Sequence, residues 1–115
     1  MMIYINVSPR QPNELPLVIF QHWIHSYEED ATDAKVYRPS HYNFPPSRGR
    51  SGFEIRKNGE FINYGIAPTD GIRKVGGRWK AEGTNIIRVY LEDPKQKSYV
   101  MKILSCDENV LRIEK

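Results

Sequence analysis

Residues 52–66 read GFEIRKNGEFINYGI, and this stretch decides the fold class. Phe53 and Phe61 fall on the apolar face of an alternating pattern, which is typical of half-buried β-strands. The Asn58-Gly59 pair between the two alternating segments is the strongest short-range signal for a β-hairpin. It predicts a tight turn in which both residues adopt positive φ. The stretch therefore predicts an antiparallel hairpin with one buried face.

Further alternating segments follow, separated by turns rich in glycine, asparagine and aspartate. Upstream, residues 3–7 fit an edge strand, and the apolar run from Leu17 predicts a strand that ends near Glu28. We interpret residues 67–77 as a turn-rich connection, because proline and several glycines interrupt it. The later predicted strands cover residues 78–81, 86–92, 98–106 and 110–114. This spacing predicts an all-β, antiparallel up-and-down meander of about seven or eight strands.

Length and composition bound the class of protein. A chain of 115 residues predicts a single domain spanning 1–115. The chain is 39% hydrophobic and 27% charged, with a net charge of +3, which is ordinary for a soluble protein. No apolar run is long enough to predict a membrane span, and the first residues lack the pattern of a secretory signal. The lone Cys106 excludes an internal disulfide and favours a cytoplasmic location.

A long loop rich in proline and arginine separates the two parts of the predicted sheet. It covers residues 29–51, with prolines at 39, 45 and 46 that cannot donate to a β-ladder. Long loops on rigid scaffolds often carry function. Its arginines, Arg38, Arg48 and Arg50, have planar guanidinium groups suited to carboxylates or phosphates. They can bind an anionic ligand or pair with the preceding acids Glu28, Glu29 and Asp30, and the closeness in sequence favours internal pairing.

Several segments also carry a family resemblance. They are Phe20-Gln21-His22-Trp23, Asn58-Gly59-Glu60-Phe61, Gly77-Arg78-Trp79 and Leu111-Arg112-Ile113. Together they resemble the lipocalin-like (calycin-type) small β-barrels. Residues 23–30 followed by residues 44–50 also resemble an uncharacterised bacterial subgroup of this type. That family carries a glycine-x-tryptophan near the barrel floor; Trp23 supplies the tryptophan, and Gln21 stands where the family has glycine. The resemblance implies a closed barrel, which removes exposed sheet edges and is wide enough for one small ligand.

These features lead to a binding hypothesis. We expect the barrel to bind a small apolar or aromatic ligand, with the 29–51 loop as a lid and with no cofactor. We interpret Trp23 and Trp79 first as core residues. Five aromatic residues are candidates for the pocket entrance or, equally, for a hydrophobic cluster that covers the barrel end: Tyr27, Tyr37, Tyr42, Phe44 and Tyr64. The predicted ligand-binding residues are Trp23, His25, Tyr27, Arg38, Tyr42, Phe44, Arg48, Arg50 and Tyr64.

Two alternatives stay open. The barrel can carry an enzyme in which His25 is the general base and Glu28 or Glu29 orients it. It can instead be a protein-interaction module whose basic strand face meets an acidic partner. That basic face comprises Arg73, Lys74, Arg78 and Lys80. The oligomeric state is open in every case.

Two further kinds of site are not expected. Nucleic-acid binding is disfavoured, because the aromatic residues are not interleaved with a single basic face. A metal site is disfavoured because His22 and His25 point to opposite faces of a strand.

Overall fold

A computed structural model describes residues 15–67, 71–93, 95 and 98–115. The predicted edge strand at residues 3–7 lies outside the described residues. The described chain contains eight strands and two single-turn 3₁₀-helices, which we call the entry helix (Leu17–Ile19) and the acidic helix (Tyr27–Glu29). The strands are β1 (His22–His25), β2 (Ala34–Pro39), β3 (Gly52–Ile55), β4 (Glu60–Ile66), β5 (Ile72–Gly83), β6 (Ile86–Leu91), β7 (Ser98–Cys106) and β8 (Leu111–Glu114). None of the helices described is long and apolar enough to cross a membrane.

The strands form one closed antiparallel barrel, so the predicted fold class is confirmed. β3 to β8 follow one another as a meander. The order changes at the start of the barrel, where β1 lies between β2 and β3, and β2 pairs with β8. Residues 40–51, which we call the crossing loop, therefore pass over β1 to reach β3. Because core side chains fill the inside of the barrel, this passage lies on its outer side.

Unequal strand lengths leave one end of the barrel uneven. β7 pairs with β6 from Ser98 onward, but it pairs with β8 only from Ile103. Likewise the last residues of β4, Gly65 and Ile66, pair only with β5. β4 to β7 thus extend beyond β1, β2, β3 and β8 at this end, which we call the mouth.

The middle of the barrel is filled with apolar side chains. Trp23 and Phe61 have no exposed surface, and Leu111 is equally buried. The entry helix closes the end opposite the mouth, where Ile19 is fully buried and its carbonyl oxygen accepts a hydrogen bond from Trp23 Nε1 at 2.9 Å. The interpretation of Trp23 as a core residue is therefore confirmed. Trp79 packs against the same core but stays partly exposed.

Strand β5 is longer than the sequence pattern predicts. The structure places Gly76 and Gly77 inside β5, although we interpreted residues 67–77 as a connection. A Cβ atom on Gly77 would lie 2.2 Å from the carbonyl oxygen of Tyr90 on β6. Glycine is needed here because the backbones of β5 and β6 approach closely. From the sequence alone, such a glycine cannot be distinguished from a glycine in a turn.

Three local predictions also differ from the structure. The predicted loop at residues 29–51 is wrong in its first part, because Ala34–Pro39 form β2 and pair with β1 and β8. β1 ends at His25, and the acidic helix takes the place of a strand continuing to Glu28. In the β3–β4 hairpin Gly59 has φ 98°, whereas Asn58 does not have positive φ. Arg56 N donates to Glu60 O at 3.0 Å, so the loop contains three residues and ends in a glycine bulge. Asn58 stabilises it by accepting a hydrogen bond from Glu60 N at 3.0 Å.

Candidate functional site

Arg50 fastens the crossing loop to the acidic helix. Its guanidinium donates to both carboxylate oxygens of Glu28, at 2.8 and 2.6 Å. It also donates to the carbonyl oxygens of His25 at 3.2 Å and Pro45 at 2.8 Å. The Arg50 side chain is only 8% exposed. The hydrogen bonds between the two side chains lower the pKa of the Glu28 carboxyl and raise the pKa of the Arg50 guanidinium.

Aromatic rings enclose the same guanidinium. The Arg50 Cζ atom lies 4.7 Å from the ring centroid of Tyr27 and 4.9 Å from that of Phe44. Tyr42 packs edge-on against Phe44, with 4.9 Å between centroids. The Tyr27 hydroxyl donates to Ser47 Oγ at 3.0 Å. These rings hold the loop around Arg50 through cation–π contacts.

Arg38 makes a second ion pair with the acidic helix. It donates to the two carboxylate oxygens of Glu29 at 2.9 and 2.7 Å, while Ser26 Oγ donates to Glu29 at 2.7 Å. The hydrogen bonds from Arg38, and then from Ser26, lower the pKa of Glu29 to about 2. Arg38 also donates to the carbonyl oxygen of Asn109 at 3.2 Å and lies over the Tyr42 ring at 4.8 Å. We call Arg38, Arg50, Glu28 and Glu29 the arginine anchor.

The arginine anchor confirms the predicted internal pairing for two of the three loop arginines. Arg48 differs: it is exposed and lines a small surface cavity with Gly49 and Ile72. The third acid, Asp30, pairs with a histidine rather than with an arginine.

His25 is oriented by Asp30. The distance from His25 Nε2 to Asp30 Oδ2 is 2.9 Å, and Asp30 Oδ1 accepts a hydrogen bond from Val36 N at 2.8 Å. The His25 ring stacks on Tyr37, with 5.0 Å between centroids. The enzyme hypothesis assigned this orienting role to Glu28 or Glu29. Asp30 takes their place, because the arginine anchor engages both of those carboxylates.

The remaining predicted residues lie elsewhere. Tyr64 is on the outer face of β4, where its ring lies 4.4 Å from that of His22 and its hydroxyl donates to Glu54 at 3.4 Å. Burial lowers the pKa of His22, and Glu54 opposes that shift. Lys74 lies over the Tyr64 ring at 5.9 Å, and Arg73 pairs with Asp93 at 3.5 Å. The described residues contain no group of three or more side chains that fits a metal ion.

A cavity of about 360 Å³ lies at the mouth, where β2 and β8 end and β7 continues. We call it the mouth cavity. Its aromatic wall includes Tyr37, Phe53 and Tyr99. The rings of Tyr37 and Phe53 are 4.8 Å apart, and Phe53 stacks at 5.5 Å on the fully buried Phe61. The filled barrel interior therefore forms the floor of the cavity.

Polar groups also face the mouth cavity. Lys35 pairs in register with Ile113, and Asn63 with Phe53, so both occupy inward positions of their strands. The hydroxyls of Tyr37 and Tyr99 make no side-chain hydrogen bond with any residue that the structure describes. Burial raises the pKa of Tyr37 to about 12, with a further contribution from Asp30. Burial, with Tyr37 nearby, also raises the pKa of Tyr99, so both hydroxyls stay protonated near neutral pH.

Sequence reasoning identified the loop but missed most of this cavity. Among the described residues, none of the nine predicted ligand-binding side chains lines it; Tyr37, a candidate for the pocket entrance, does. A signal for the others exists in the alternation of the strands. Lys35 shares a face with Tyr37, and Asn63 shares a face with Phe61. A polar residue on an otherwise apolar face is a marker of a cavity or a site.

No protein-family model, curated protein or solved structure matches this chain. The barrel, the arginine anchor and the mouth cavity are the features of the described chain that bear on its function.

Proposed function

We propose that this protein is a binding module that holds a small apolar or aromatic ligand in the mouth cavity. The observation that carries the proposal is the cavity of about 360 Å³ with its wall of Tyr37, Phe53 and Tyr99. Its volume falls in the range of about 300–1,000 Å³ typical of ligand pockets. Aromatic walls with a few placed polar groups are the usual composition of such pockets.

The ligand in this proposal binds at the mouth rather than deep in the barrel. Phe61 and Trp23 are fully buried members of the apolar core beneath the cavity. A ring inserted from the mouth therefore stacks on Tyr37 or Phe53 and does not reach Trp23. Burial of its apolar surface supplies the main driving force.

In this proposal the crossing loop acts as a fixed frame, in place of the lid that the sequence led us to expect for residues 29–51. Ser51 and Gly52, where the loop meets β3, line the mouth cavity. The adjacent Arg50 holds this point through four hydrogen bonds to Glu28, His25 and Pro45. The frame supports a preformed site, because ordering a mobile rim would cost conformational entropy on binding.

We also propose that the barrel is lipocalin-like (calycin-type) and that it works in the cytoplasm. The placement of Trp23 at the closed end, beside the entry helix, supports the first proposal. The free thiol of Cys106 supports the second, because a reducing compartment keeps such thiols unpaired.

A fluorescence titration with N-phenyl-1-naphthylamine, a neutral aromatic probe, tests the binding site. We expect saturable binding to the wild-type protein. The substitution Asn63→Phe places a ring in the cavity and should weaken binding by about tenfold or more. Its matched control is Ile62→Phe, since the adjacent Ile62 faces outward opposite Glu54. Circular dichroism checks that both variants fold.

Two results would overturn the proposal. The first is a wild-type protein that does not bind the probe at millimolar concentration. The second is an Asn63→Phe variant that is folded and binds as tightly as Ile62→Phe, because the probe would then occupy another surface.

A further inference from the structure

The mouth cavity contains hydroxyl donors that make no side-chain hydrogen bond with any residue in the described part of the chain. We infer that its ligand carries an anionic oxygen, as in a small aromatic carboxylate, which accepts hydrogen bonds from Tyr37 and Tyr99 and faces Lys35. This inference rests on the proposed function and adds the chemical class of the ligand. Three features of the cavity support it.

The first feature is the pair of tyrosine hydroxyls. Tyr37 is only 9% exposed, and Tyr99 is partly buried on the same cavity. Neither hydroxyl makes a side-chain hydrogen bond within the described part of the chain. Because no side-chain oxygen among the described residues is both buried and without a partner, these hydroxyls are open to solvent at the cavity. A ligand oxygen that accepts from them replaces water and gains the net strength of a hydrogen bond. Two donors on one cavity suit an oxygen with several lone pairs.

The second feature is the cation at the rim. Lys35 lies on the same face of β2 as Tyr37 and lines the rim of the cavity, where its side chain is exposed. It makes no ion pair with any described residue. The acidic group on the rim, Glu114, lies 3.4 Å from Lys102 Nζ and is partly neutralised by it. Lys115 adds a second positive side chain to the lining. Among the described lining residues, two lysines stand against the one carboxylate of Glu114, and the charge of Asp30 near Tyr37 opposes them in part. The lining side chains thus carry a net positive charge, which favours an anion over a cation.

The third feature is the location of the arginines. Arg38 and Arg50 are the groups best suited to bind a carboxylate, but Glu29 and Glu28 already occupy them in bidentate pairs. The anion site thus depends on Tyr37, Tyr99 and Lys35, with the Asn63 amide as an additional donor. Lysine and tyrosine contact an anion as single donors, so we expect charge selectivity with moderate affinity.

Isothermal titration calorimetry with three matched probes tests the inference. The probes are naphthalene-2-carboxylate, naphthalene-2-methanol and 2-naphthylmethylammonium, which share one ring system and differ in charge. We expect the carboxylate to bind about tenfold more tightly than the ammonium at neutral pH, with the alcohol between them.

Two variants locate the selectivity. The double substitution Tyr37→Phe with Tyr99→Phe should weaken binding of the carboxylate by about tenfold while leaving the alcohol within about threefold. Lys35→Met should reduce the preference for the carboxylate over the ammonium by about threefold or more. The matched controls are Tyr90→Phe and Lys80→Met, which change exposed side chains on the outer faces of β6 and β5 and should have no effect.

The outcomes separate this inference from the proposed function. Equal affinities for the three probes, or a preference for the ammonium, would overturn the inference and leave the binding module intact. The same follows if the Tyr90→Phe and Lys80→Met controls lose as much affinity as the cavity variants. Absence of binding for all three probes at millimolar concentration would overturn both.

Discussion

The arginine anchor and the mouth cavity both combine aromatic rings with polar side chains. In the anchor each principal polar group has a partner: Arg50 binds Glu28, Arg38 binds Glu29, and Ser26 adds a further donor. In the cavity the hydroxyls of Tyr37 and Tyr99 have no side-chain hydrogen-bond partner among the described residues. Similar side chains therefore hold the protein together in one place and stay available in the other.

The difference teaches how to choose a site from such a sequence. The arginine-rich loop attracts attention because its residues are chemically conspicuous. Two of its three arginines, Arg38 and Arg50, are paired internally, and the Arg50 side chain is 8% exposed. The cavity is built from inconspicuous strand residues, such as Lys35 and Asn63, whose inward positions matter more than their type.

Breaking the arginine anchor should have the largest effect on stability. Arg50→Ala removes four hydrogen bonds and two cation–π contacts, so we expect the Tm to fall by about 10 °C or more. Arg50→Lys should recover little of this loss, because lysine cannot make the bidentate pair with Glu28. Thermal denaturation followed by circular dichroism measures both.

Arg48→Ala is the control, because Arg48 lies in the same loop but is exposed. We expect it to change the Tm by less than about 3 °C. If Arg50→Ala unfolds at the same temperature as Arg48→Ala, the anchor does not stabilise the loop as described.

The second prediction concerns the pH dependence of the anchor. The pKa of Glu29 is about 2 in the folded protein and 4.5 ordinarily, so the folded state favours the charged carboxylate. Its stabilising contribution is therefore complete above about pH 4.5 and is lost as the pH falls towards about 2. Glu29→Gln should lower the Tm at about pH 6, and its difference from wild type should shrink at about pH 3.

The comparison for this measurement is Glu108→Gln, which changes an exposed acid in the turn between β7 and β8. We expect that variant to keep the wild-type pH profile. A gap between Glu29→Gln and wild type that is equally large at both pH values would show that the carboxylate's charge is not what stabilises the anchor.

The smallest expected effect belongs to the mouth cavity. Tyr99→Phe removes a hydroxyl that makes no side-chain hydrogen bond within the described residues, so the free energy of unfolding should change by less than about 0.5 kcal/mol. Ser26→Ala provides the contrast, since it removes a buried hydrogen bond to Glu29 and should cost about 1 kcal/mol. Urea denaturation compares the two. A loss above about 1 kcal/mol for Tyr99→Phe would mean that its hydroxyl has a structural role.

Much of the barrel could be predicted from local patterns. The alternation around Phe53 and Phe61 gave the central hairpin, and the apolar setting of Trp23 indicated a core residue. Local patterns fail where contact with a strand distant in sequence determines which residue fits at a position. Gly77 resembles a turn residue, but it permits close contact with Tyr90.

The site was harder to predict for the same reason. The mouth cavity lies where β7 extends beyond the end of β8. The relative lengths of neighbouring strands cannot be predicted from a local sequence pattern. The position of β1 between β2 and β3 likewise depends on which strands pair. It cannot be predicted from the sequence of either segment alone. The internal pairing of Arg38 and Arg50 was predictable, because acids and arginines lie close together in sequence.

The placement of β1 between β2 and β3 has a consequence for how the chain assembles. Every strand pair except β2 with β8 joins strands that are neighbours or next neighbours in sequence. Pairing of β2 with β8 therefore has the largest cost in loop-closure entropy. The other strand pairs form between segments that are close in sequence. The crossing loop then lies across the outer side of β1. Arg50 attaches the loop to the end of β1 by donating a hydrogen bond to the carbonyl oxygen of His25. For β1 to leave the folded barrel, the crossing loop must first detach from the outer side of β1.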